Sequence, residues 1–149
     1  MSARKMMMVF CSTVVLGLSS FHTLSAQERY VREIRAQLGV IAVAMDQNGF
    51  DRTHDFKIEK LRGDNTDTFG ITLNRGVDYR IVAVCDHDCG DIDLRLFDEN
   101  NNEVAKDTAN DDYPLVSIAP RWTGRFKIHV RMYECSVSPC FYGIGTFGK

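Results

Sequence analysis

Residues Ala83 to Asp98 read AVCDHDCGDIDLRLFD. The downstream half decides the fold class. Ile92, Leu94 and Leu96 alternate with Asp93 and Arg95, the period-two pattern of a strand with one buried and one wet face. The upstream end closes another apolar run, Tyr79 to Cys85, and between the two lie Asp86, His87, Asp88, Gly90 and Asp91. Two strands joined by a short polar reversal carrying Cys85 and Cys89 is the simplest reading.

The same texture extends outward. Further strands are predicted near His54 to Leu61, Thr68 to Leu73, Glu103 to Asp107, Leu115 to Ala119, Arg125 to Tyr133 and Phe141 to Phe147, eight in all. In the seventh, Phe126, Ile128, Val130 and Met132 alternate with Lys127, His129 and Arg131. Asn74-Arg75-Gly76, Asn100-Asn101-Asn102 and Trp122-Thr123-Gly124 are turn sequences, rich in residues that tolerate positive φ. Half-wet strands bury their apolar faces by stacking two sheets, so the expected fold is mainly β, a jelly-roll-like antiparallel sandwich at residues 49-149. If every connection after Thr68 reverses the chain, loops 86-91, 108-114 and 134-140 share one pole, and turns 74-77, 99-102 and 120-124 share the other.

Ahead of the strands, Tyr30, Ile34, Leu38, Ile41 and Met45 recur at spacings of three and four, one stripe of an amphipathic helix over residues 27-48. Asp46-Gln47-Asn48-Gly49 stops it. Packing against the domain is expected ahead of a membrane-surface role, because Val40 to Ala44 is nearly all apolar and lacks a basic rim. Residues 1-26 have the plan of a signal peptide: Arg4 and Lys5, an apolar run from Met6 to Leu18, and small residues through Ala26. That run is short for a bilayer span, so a secreted or periplasmic protein is expected, not a membrane-spanning one. Loss of Arg4 and Lys5 takes the formal charge of −2 to −4, which argues against nonspecific nucleic-acid binding. Between residues 83 and 112 ten carboxylates face only Arg95 and Lys106.

Cys11 leaves with the leader, and four of the five cysteines remain. Two close pairs can hold zinc through four thiolates, but an oxidising compartment favours disulfides. A bridge between the two loops would close a longer ring, worth roughly 4 kcal/mol against roughly 2 for a local one. Local chain reversal nevertheless brings the near pairs into bonding distance, so Cys85-Cys89 and Cys135-Cys140 are the expected bonds.

Several of these motifs together resemble a known family. Leu73-x5-Tyr79-x-Ile81, Asp91-x-Asp93-Leu94-x-Leu96-x-Asp98, Val104-x2-Asp107, Asp111-Asp112 and Gly124-x-Phe126-x-Ile128-x-Val130 are similar to the bacterial pre-peptidase C-terminal (PPC) domain, over residues 66 to 147. The resemblance implies a β-sandwich accessory module without catalysis, calcium-binding in some relatives, here as a stand-alone, cysteine-bearing variant.

Six residues, Asp86, Asp88, Asp91, Asp93, Asp111 and Asp112, form the candidate metal site if the parity argument holds. Calcium, the one cofactor expected, needs six to eight oxygens, which carboxylates and loop carbonyls supply. The spacing is not that of an EF-hand, and the competing reading is that these aspartates cap turns. His87 is either a further ligand or a solvated loop histidine. No G-x-S-x-G or H-E-x-x-H occurs, so catalytic residues are expected to be none. The alternative is a small secreted hydrolase using paired carboxylates of the acidic pole. Tyr113 and Trp122 are candidate aromatic contacts for a protein or polysaccharide ligand, against a role covering the ends of the core.

Overall fold

The computed structural model describes the backbone of residues 19-149 and the side chains of residues 26-149. The predicted leader falls largely outside them: nothing is described of residues 1-18. Helix α1 spans Ser19–Gln47, so it begins N-terminal to the expected cleavage point. It ends at the predicted stop, where Gly49 takes φ +78° and the Phe50 amide bonds the Met45 carbonyl at 3.0 Å.

Nine strands follow: β1 (Asp51–Arg52), β2 (Lys57–Leu61), β3 (Thr66–Leu73), β4 (Tyr79–Cys85), β5 (Cys89–Phe97), β6 (Glu103–Asp107), β7 (Leu115–Ile118), β8 (Gly124–Cys135) and β9 (Cys140–Gly148). The predicted first strand begins later than expected, at Lys57, and a two-residue strand ahead of it, β1, raises the number from eight to nine. β1 and β2 lie end to end along β9, and the break between them occurs where Thr53 bonds the Thr146 carbonyl and the His54 ring sits 3.1 Å from the Thr72 carbonyl. These groups tie the edge of one sheet to β3 of the other.

All pairings are antiparallel. One sheet runs β1/β2-β9-β4-β7 and the other β3-β8-β5-β6. Only β5 and β6 form a hairpin within a sheet; every other connection from β2 onward crosses between sheets. From β3 onward the pairings within each sheet are those of strands that alternate in direction, as the parity reading required. The inner core lies between the sheets and includes Leu73, Ile81, Ile92, Leu94, Phe126, Ile128, Met132 and Tyr142.

A second core lies on the other face of the first sheet. Ile34, Leu38, Ile41 and Met45 of α1 pack there on Val82, Val84, Phe141 and Phe147, giving a helix-sheet-sheet order of layers. β4 and β9 are buried on both faces, which is why Ile81 to Val84 is a continuous apolar run rather than an alternating one. β9 brings the helix close with Gly143: a Cβ there would overlap Ile34 and stand 2.8 Å from Leu38 Cδ1.

Candidate functional site

The pole predicted to gather the cysteine loops does so. Both bonds form as expected, Cys85–Cys89 with an S–S distance of 1.97 Å and Cys135–Cys140 with 2.07 Å. Cys89 is the cross-strand partner of Cys135, so the two bridges are neighbours. The Ser136 amide and hydroxyl both donate to the Asp88 carbonyl at 2.8 Å, fastening one loop to the other. The 108-114 loop joins them, since the Ile92 amide donates to the Asp111 carbonyl at 3.1 Å.

The six aspartates do not converge. Alternation along β4 directs Asp86 toward the helix side of the first sheet, and alternation along β5 directs Asp93 to the outer face of the second. Asp86 is buried, and its carboxylate accepts the Phe141 amide at 2.6 Å and the Asp88 amide at 3.1 Å. Burial pushes its pKa up despite those two amides. The Asp88 carboxylate accepts the Tyr30 hydroxyl at 2.8 Å. Asp111 caps its own turn through the Tyr113 amide at 3.0 Å, and Asp112 is exposed. Among the described residues no three His, Cys, Asp or Glu side chains stand together as a metal-ligand set.

Asp91 is different. It is 7% exposed, and its Oδ1 is buried without a hydrogen-bond partner. Burial, then the neighbouring carboxylates of Asp93 and Asp111, raise its pKa above the ordinary aspartate value. It lies at a β-bulge opposite Glu134, which adds to the negative field. Of the predicted set, Asp93 and Asp111 are the members whose charge bears on Asp91.

His87 is held by the helix. Glu33 accepts its backbone amide at 3.0 Å and lies 2.9 Å from its Nδ1, while the ring stacks on Tyr30, which stacks in turn on Phe141. The hydrogen bond to Glu33 raises the imidazole's pKa. Tyr30 and Glu33 are the pole residues that strand-by-strand reading missed; the only signal was their position on the helix flank, one and two turns from Leu38.

The two candidate aromatics lie at opposite poles, as predicted. Tyr113 is partly exposed beside the helix. Trp122 stacks on Phe126 at 5.7 Å and borders a cleft of about 340 Å³ with Val104, Ile118, Pro120 and Arg121. That opposite pole is fastened by Asp98, which accepts the Asn100 and Asn102 amides at 2.8 Å each.

No family model matches the sequence, and no curated protein matches it. Solved structures do. The PPC domain of a Bacillus anthracis collagenase shares 18% identity over 62% of this chain and 87% of that one, with a TM-score of 0.50. A periplasmic inhibitor of g-type lysozyme from Aeromonas hydrophila shares 9% over 64% and 85%, with a TM-score of 0.48. The alternating strands, the two crossing sheets and the first of these likenesses lead to one conclusion: the chain has a PPC-like fold.

Proposed function

We propose that the protein is an exported, noncatalytic accessory module that presents a rigid polar pole to a protein or polysaccharide ligand. The observation that carries this reading is how the pole's acidic groups are used. Asp86 and Asp88 spend their oxygens on the Phe141 and Asp88 amides and the Tyr30 hydroxyl, beside two disulfides. Side chains so engaged hold loops in place, which suits recognition by a preformed surface. Export is supported by the two disulfides and by the leader-like N-terminus.

Calcium belongs to the same proposal in a narrower form. Asp91 is the side chain that would hold it, and it would supply the countercharge that the buried Asp91 carboxylate lacks. The test of function is a depletion assay. The purified protein is mixed with insoluble cell-wall polysaccharides and with fibrillar collagen, and both bound protein and soluble products are measured. Binding without release of product is expected. Product release that disappears in Asp91→Asn or Asp93→Asn would establish the hydrolase alternative instead.

A further inference from the structure

Helix α1 is apolar on two sides. From Ala36 to Met45 it contains no charged residue, and Gln37 is its only polar side chain. Ile34, Leu38, Ile41 and Met45 face the sheet. At 100° per residue the opposite side holds Arg32, Ala36, Val40, Val43 and Gln47. All five are exposed, Val40 at 72% and Val43 at 59%. A helix that is apolar all round ordinarily has partners all round.

The surface has a ridge and a groove side by side. Val40 and Val43 form the ridge, and next to it lies a groove of about 380 Å³ lined by Gln37, Ile41, Ala44, Val84 and Tyr113. A twofold rotation brings the same face of a second copy onto this one, as an isologous contact requires. The charges run the same way. Arg32 and Arg35 are exposed N-terminal to the apolar segment, and Asp46 is exposed at its C-terminal end, where the helix carbonyls add negative potential. A parallel pairing would place like charges together. An antiparallel pairing centred between Gly39 and Val40 sets Ala36 against Val43, and Arg32 against Gln47 and the adjoining Asp46.

We propose that this face of α1 is a homodimer interface, in which the exposed stripe Arg32, Ala36, Val40, Val43 and Gln47, with Asp46 at its margin, packs antiparallel on the same stripe of a second copy. The contact uses one helix face and a shallow groove, so micromolar association is expected rather than an obligate dimer.

Sedimentation equilibrium of the protein recovered after export of the full-length chain, from about 1 to about 300 µM, tests this. The mass should rise from one chain to two. Val43→Glu should stay monomeric throughout with its thermal melting unchanged, and Ala36→Glu, also on the exposed side, is the second variant should the first fold poorly. Arg32→Glu and Asp46→Arg should each weaken association about tenfold, and the double variant should recover it, because the swapped charges meet again across the twofold axis. A wild-type protein still monomeric at the highest concentration would overturn the proposal. So would a dimer indifferent to both glutamate variants, a double variant without recovery, or a monomer that cosediments with anionic vesicles through Val43.

Discussion

Gly143 of β9 lies directly beneath Ile34 of α1, with no room for a Cβ between them. The helix and the central strand meet at this point, and the contact couples the second core to the first. Gly143→Ala is expected to force the helix outward and to destabilise the protein by about 1-3 kcal/mol, the usual cost of overpacking. Thermal melting measures the loss, and hydrogen exchange should accelerate in residues 30-45 more than in β5 and β8.

The His87–Glu33 pair makes helix docking dependent on pH. Glu33 raises the histidine's pKa, so the folded state binds the proton more tightly than the unfolded chain. The pair's stabilisation is fully present below the unfolded value, near 6.5, and is lost as pH rises through the folded one. Histidine titration by NMR should show His87 above its ordinary value in the wild type and close to it in Glu33→Gln.

Asp91 has the opposite sign. Its folded pKa is raised, so its ionisation costs stability, increasingly as pH climbs from the unfolded value near 3.9 through the folded one. Asp91→Asn should therefore melt higher than wild type at neutral pH without calcium. With calcium at 100 times its dissociation constant, wild type should gain about 2.7 kcal/mol and Asp91→Asn should not. No shift of the wild-type melt at millimolar calcium would remove the metal from the proposed function.

The disulfides close short rings, of sequence separation 4 and 5, so each should stabilise by roughly 2 kcal/mol in the loop-entropy model. Removing Cys85–Cys89 by double alanine substitution should lower stability in denaturant titrations. It should also loosen the His87 and Asp88 contacts with Glu33 and Tyr30, visible as faster exchange at the N-terminal part of the helix.

Much of this architecture was legible because antiparallel strands carry their facing in the sequence. The alternation in β5 and β8 gave sheet faces, and the reversal of the chain at each connection gave the poles, including the approach of Asp111 to the strand beginning at Cys89. Asn101 takes φ 65° in the turn where asparagines indicated it. The break between β1 and β2 was hidden, because it depends on Thr146 and Thr72, carbonyls contributed by distant strands. The six-aspartate site was hidden for another reason. Loop proximity is a property of the backbone path, whereas convergence depends on which side of its strand each residue occupies, and Asp86 and Asp93 occupy opposite outer faces. Chemistry alone could not single out Asp91; its lack of a partner appears only when the bulge and Glu134 are in place.

β9 comes later in the chain than every element it touches. Its partners β1, β2 and β4 and the overlying helix have no common support until Cys140 to Gly148 arrive among them. A chain emerging from the ribosome therefore cannot complete its first sheet and must stay open until β9 has been made. Such a chain would remain threadable for an exporter of unfolded polypeptide, and under the proposed export its final assembly would coincide with access to the oxidant that closes its two short rings.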